Sequence, residues 1–161
     1  MFHFISRLLL TGSLLLVVCI ASAQAPTYNK ALADSLGADE YGMKSYVLVI
    51  LKGGSGKADK ERTDSLFAGH LRNIQRLARI GKLVVAGPME DNEKGYRGIF
   101  ILNVRTMEEA KALLATDPAI GARLLEPELY GWYGSAALPL YLPSAEKVTK
   151  KAFDPSQTVL P

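Results

Sequence analysis

The chain has 161 residues, 48% of them hydrophobic and 22% charged, a length that suits one well-buried domain and leaves no comfortable room for a second. Its formal net charge of +3 comes from lysines and arginines interleaved with acids, as in Lys57-Ala58-Asp59-Lys60-Glu61-Arg62, so the basic balance describes a solvated surface and argues against a nucleic-acid partner. One cysteine, Cys19, and two histidines, His3 and His70, leave no material for a disulfide framework or a multi-histidine metal site.

Residues 1–23 read as a secretory signal peptide. Arg7 precedes an apolar run from Leu8 to Ile20, and Ala21-Ser22-Ala23 supplies a small-x-small cleavage site. The run is about 13 residues, short of the roughly 20 that span a bilayer as a helix, so no stable membrane anchor is expected after cleavage. Val18 precedes Cys19 where a lipoprotein needs a small residue. Removal of this leader takes Arg7, His3 and Cys19, lowers the formal charge from +3 to +2 and leaves one imidazole and no thiol. The mature chain is expected to be periplasmic or secreted.

Residues 24–44 form an N-terminal arm, weakly helical from Asn29 to Leu36 and broken at Gly37 and Gly42. Ser45 to Leu51 is rich in β-branched and aromatic residues and predicts a central strand, apolar on both faces. Gly53-Gly54-Ser55-Gly56-Lys57 invites comparison with a phosphate-binding loop. The first glycine of that motif would fall at Leu51 and its Ser/Thr at Ala58, so a flexible strand-to-helix connection is the better reading. It also lacks the closing glycine of a nucleophile elbow.

A helix follows, capped by Asp59 or Asp64 and ended by Gly81 in a left-handed conformation. Its apolar stripe is Leu66, Phe67, Leu71, Ile74, Leu77 and Ala78, and His70 falls inside that stripe, pointing at the core. Leu83 to Ala86 makes a short strand ending at Gly87-Pro88. Asp91-Asn92-Glu93-Lys94-Gly95 turns the chain into a third strand centred on Gly98 to Leu102, completing a hairpin. Thr106-Met107-Glu108-Glu109 is a capping box opening a helix to about Ala115, and Asp117-Pro118 starts a further short turn. Leu129 to Tyr133 makes the last strand. Residues 136–161 form a tail holding Pro139, Pro143, Pro155 and Pro161, half of the eight prolines, with at most a short helix near Ser144 to Ala152.

The order strand, helix, strand, strand, helix, strand over residues 45–135 is that of a ferredoxin-like βαββαβ α+β sandwich. Both helices cover one face of its sheet. Since the strands are apolar at consecutive positions, the opposite face needs a cover of its own, and a second subunit giving a dimeric α+β barrel supplies it.

Imidazole is the side chain suited by default to proton transfer near neutral pH, which singles out His70. A histidine on an apolar helix face is also commonly a hydrogen-bonded core residue. Asp117 can orient the ring through one nitrogen, or merely cap the amides of Ala119 or Ile120. Gly87 and Pro88 can shape a wall beside His70, and Tyr130 or Trp132 can offer an aromatic surface to a ring-shaped ligand; strand-end geometry and dimer packing explain these four equally well. Arg123 can bind an anionic group or serve as an exposed helix arginine.

Taken together, Gly69-His70-Leu71, Gly81-Lys82-Leu83-Val84-Val85-Ala86-Gly87-Pro88, Glu109-Ala110-Lys111 and Asp117-Pro118 resemble the YCII-related (YciI-like) family over about Tyr46 to Tyr133. The resemblance implies a dimeric α+β barrel related to muconolactone isomerase-like folds. It also implies a His-Asp pair in a cleft as the active site, which maps onto His70 and Asp117. Some members are associated with breakdown of chlorinated aromatics. The leader, the arm and the proline-rich tail depart from the compact family pattern, so no cytosolic member's substrate is carried over.

The expected function is that of an exported, cofactor-independent enzyme acting on a small organic molecule. His70 is its acid or base and Asp117 orients it, for elimination, isomerisation or hydrolysis. The alternative is a non-catalytic dimer that binds a small ligand or docks a partner. No metal ligands are assigned.

Overall fold

The computed structural model describes residues 27–150; the leader assigned to residues 1–23 and the tail from residue 151 lie outside the described residues. Ten elements follow one another: α1 (Lys30–Leu36), β1 (Met43–Gly53), α2 (Lys60–Arg79), β2 (Leu83–Pro88), β3 (Tyr96–Leu102), α3 (Met107–Leu114), α4 (Pro118–Gly121), β4 (Leu125–Ser135), a 3-10 turn (Leu138–Tyr141) and α5 (Leu142–Val148). The strands form one antiparallel sheet in the order β2-β3-β1-β4, the ferredoxin-like arrangement expected from the alternation of elements.

Local sequence explains the boundaries. Asn29 caps α1 by accepting from the Leu32 amide, and Gly37 ends it at a φ of 68°. For α2, Asp59 is the cap, accepting from the Arg62 amide, and Gly81 closes the helix at a φ of 69°. Thr106 caps α3 through the Glu109 amide, while Glu109 reaches back to the Arg105 amide. The arm does not stop short of the sheet. Met43 and Lys44 already pair with Ser135 and Gly134 of β4, and Tyr133 donates its hydroxyl to Asp39.

Val47, Val49 and Leu51 alternate along β1 toward the helices and meet Phe100 and Leu102 of β3, Leu77 of α2, Ala110 and Leu114 of α3, and Ala119 of α4 in one core. The other face carries Leu48, Ile50, Ile99 and Ile101, all half-buried, with Tyr46 and Trp132 paired at one end. Trp132 lies flat over Gly134, where a Cβ would stand 2.4 Å from the indole, and tilts against Tyr46 at 5.5 Å between ring centres. Beyond β4 the chain crosses to β2, where the Tyr141 hydroxyl donates to the Val84 carbonyl.

The glycine-rich connection between β1 and α2 is fitted rather than loose. Gly54 and Gly56 donate their amides to the Leu124 and Arg123 carbonyls at 2.9 and 2.8 Å, and a Cβ at either position would lie 2.0 to 2.2 Å from a carbonyl oxygen of the Ala122–Leu124 turn. Ser55 is held by Glu126. Amides engaged in this way do not form a cradle for phosphate.

Candidate active site

The site begins with a close approach of two helices. Gly69 of α2 faces Pro118 at the start of α4, and a Cβ on Gly69 would stand 2.6 Å from the proline ring. Their neighbours in sequence, His70 and Asp117, are thereby brought together. His70 Nδ1 and Asp117 Oδ2 are 2.7 Å apart, with the side chains 6% and 1% exposed. The other carboxylate oxygen, Oδ1, accepts from the amides of Ala119 at 3.0 Å and Ile120 at 3.3 Å. Capping and contact with histidine are thus divided between the two oxygens.

A second layer holds the pair. Asn73, one helical turn after His70, directs its amide nitrogen at Asp117 Oδ2 at 3.4 Å, and its own carbonyl oxygen accepts from Arg76 at 2.8 Å and Thr116 at 3.1 Å. Arg76 also donates to Thr116 Oγ1. Burial raises the proton affinity of the Asp117 carboxyl, but hydrogen bonding and charge from His70, with the Ile120 amide and Asn73, outweigh it and set the pKa below the ordinary carboxylate value. An ionised Asp117 only accepts, so Nδ1 carries the ring proton that it shares.

This leaves Nε2 as the available nitrogen. Among the described residues it has no hydrogen-bond partner and no buried side-chain nitrogen or oxygen lacks one, while His70 lines a cavity of about 330 Å³. Nε2 is therefore the ring atom open to that space. Phe67 meets the imidazole edge-on at 6.0 Å and Phe100 stacks on it at 5.8 Å, clamping its orientation. Leu51, Leu71, Ile74 and Leu125 extend the apolar wall, while Gln75 and Arg97 are the other polar lining residues.

Gly87 and Pro88 line this same cavity from the end of β2. Tyr130 and Trp132 do not: they pair with Leu48 and Tyr46 on the sheet face turned away from α2, and the Tyr130 hydroxyl donates to Glu128. Alternation along β4 puts odd positions toward the helices, so two aromatics at even positions cannot reach His70. Arg123 ends α4 at a φ of 59° and lies 3.5 Å from Glu126, outside the cavity. Sequence reasoning missed Asn73, Arg76 and Thr116. The signal for Asn73 was its spacing of three from His70 on the buried side of α2. Among the described residues no group of three or more histidines, cysteines or acids could hold a metal ion, and no helix is long and apolar enough to cross a membrane.

Residues 45–128, more than half of the chain, match the model of the YCII-related domain. The chain belongs to the YCII-related family. The matched span of this YCII-related chain runs from β1 into β4 and includes both His70 and Asp117. No curated protein matches its sequence. Among solved structures it is similar to the 5-chloro-2-hydroxyhydroquinone dehydrochlorinase TftG of Burkholderia phenoliruptrix AC1100, in complex with 2,5-dihydroxybenzoquinone. The identity is 20% over 53% of this chain and 92% of that one, with a TM-score of 0.40. At that level of likeness the functional reading rests on this chain's own geometry.

Proposed function

We propose that the cavity beside α2 is the active site of a small-molecule enzyme in which His70 Nε2 moves a proton. Asp117 fixes the tautomer and supports the imidazolium formed when Nε2 takes the proton. The observation that carries this reading is a buried imidazole bonded to a carboxylate through Nδ1 while Nε2 opens on a cavity of about 330 Å³. A core histidine needing only satisfaction would find protein partners for both ring nitrogens, whereas Nε2 finds none among the described residues and opens on the cavity.

The lining fits a compact, largely apolar molecule, and the absence of a hydroxyl or thiol nucleophile among the lining residues favours proton abstraction, with elimination or isomerisation following, over covalent catalysis. Returning the proton to another carbon completes an isomerisation; expelling a leaving group completes an elimination. Hydrolysis would use the same nitrogen to activate water. We propose further that residues 1–23 direct the protein out of the cytoplasm, which intact-mass measurement of native material checks by a chain beginning at Gln24.

The test is a screen of small cyclic carbon acids in D2O, scored for deuterium uptake and for loss of starting compound. His70→Ala is expected to reduce the rate by about 10² to 10⁴, the usual worth of a positioned acid or base. An unchanged rate in a folded His70→Ala protein would remove His70 from the chemistry. Compounds that bind beside His70 and are never altered would make the cavity a ligand-binding site instead.

A further inference from the structure

A second cavity, of about 400 Å³, lies at the opposite end of β3, where the N-terminal arm, the start of β1, the approach to β2 and the β3–α3 connection meet. It includes none of the residues of the His70 site. Three cationic residues line it: Lys44, Lys82 and Arg105. Glu109 is its one acidic lining residue, and that carboxylate already accepts from the Arg105 backbone amide at 3.2 Å.

Among the described residues none of the three cations has a carboxylate within ion-pair distance, whereas Lys52 is paired with Glu128 and Lys60 with Asp64. Lys44 is the most constrained. Its ammonium donates to the Leu36 carbonyl at 3.0 Å and sits 5.0 Å from the centre of the Tyr46 ring, which leaves two of its three protons unspent. Burial first, and the positive charge of Arg105 second, lower the pKa of Lys44. Like charges gathered around a concave surface are a cost that an anion converts into attraction, and the neutral residues Ser45 and Asn103 add hydrogen-bonding capacity to the lining.

We propose that the cavity formed by Lys44, Lys82 and Arg105 binds an oxyanion, namely phosphate or the phosphoryl group of a small molecule. Arginine offers the planar fork for two oxygens, and the lysines act as point charges on the rest. The arm contributes Leu36 as a wall and its carbonyl as the anchor of Lys44, which gives residues 27–44 a task that the catalytic cavity does not. This inference is independent of the chemistry proposed for His70.

Amide NMR of the full chain titrated with inorganic phosphate, against sodium chloride at equal ionic strength, tests it. Phosphate should shift the amides of Lys44, Lys82 and Asn103 to Thr106 saturably. Arg105→Gln and Lys44→Gln should each weaken that binding by about tenfold, the loss of one charge-assisted contact. Lys60→Gln, on the exposed side of α2, should bind phosphate as the wild type does. Glycerol phosphate binding more tightly than phosphate would show that the cavity also holds the organic part. Shifts no larger than those caused by chloride, or equal phosphate affinity in folded Arg105→Gln and Lys44→Gln proteins, would overturn the proposal.

Discussion

At the scale of single residues, Asp117 does two things with two oxygens, and substitutions separate them. Asp117→Asn keeps an oxygen for the Ala119 and Ile120 amides, so helix capping survives, but its amide can offer a proton to Nδ1 and favour the tautomer with Nε2 already protonated. Turnover should fall about 10²-fold or more with a small change in denaturant midpoint. Asp117→Ala should lose about 1 kcal/mol for the cap in addition to turnover. If Asp117→Asn keeps the wild-type rate, capping is the carboxylate's whole role. The acid limb of stability follows from the same group. A carboxyl whose folded pKa is depressed contributes stability that is fully present above its unfolded pKa, about 3.9, and is lost as pH falls through the lower folded value. As pH falls below about 4 the wild type should therefore lose more stability than Asp117→Asn, measured by denaturant unfolding at each pH. His70 and Asp117 were legible as a pair because one imidazole and one Asp-Pro start stood out in the sequence. The Asn73, Arg76 and Thr116 layer was not, since Asn73 and Arg76, three apart on a long helix, look like its solvated face until Asp117 and Thr116 are seen to stand against Asn73.

At the scale of elements, the site depends on how closely α2 and α4 approach. Gly69→Ala places a methyl group against the Pro118 ring, which is too stiff to yield, so the helices must part. A destabilisation of about 1–3 kcal/mol is expected, with a longer His70 to Asp117 contact and slower turnover. Gly121→Ala, at a position with open space around the added carbon, should be neutral or slightly stabilising; equal behaviour of the two variants in urea would remove the close-approach argument. Helix positions were legible from caps and periodicity. Strand lengths were less so. β4 begins at Leu125 rather than Leu129, because Glu126, Pro127 and Glu128 carry no strand signal, yet β4 is an edge of the sheet, where a proline need not supply a ladder donor. β1 starts two residues early because Met43 and Lys44 are recruited by pairing with the far end of β4, a long-range contact that local propensity does not encode.

At the scale of the whole molecule, one face of the sheet is sealed by α2, α3 and α4, while the other holds half-buried Leu48, Ile50, Ile99 and Ile101 with Tyr130 at 48% exposure beside them. The crossing of the 3-10 turn and α5 toward β2 ties one corner, through Tyr141 and Val84. We propose that a second copy of the chain covers the remainder, face to face. Light scattering should give twice the mass of the mature chain, and Ile50→Asp, which puts a charge at the centre of that face, should shift the mass to that of the monomer. A wild-type protein that stays monomeric at micromolar concentration would show that the sheet face needs no partner. Consecutive apolar residues made this face visible in the sequence, whereas the path of the described part of the tail was not visible, because Pro139 and Pro143 mark the starts of the 3-10 turn and α5 without stating where these pack.

The central claim is that Asp117 holds the His70 ring with its proton on Nδ1, leaving Nε2 as a free base in the cavity. Nitrogen NMR of the protein labelled in histidine, assigned by comparison with His70→Gln, reads this directly. The neutral ring should show a protonated Nδ1 and an unprotonated Nε2, with the Nε2 signal moving when a small cyclic compound enters the cavity and the tautomer reversing in Asp117→Asn. A neutral His70 that carries its proton on Nε2 in the wild type would contradict the account.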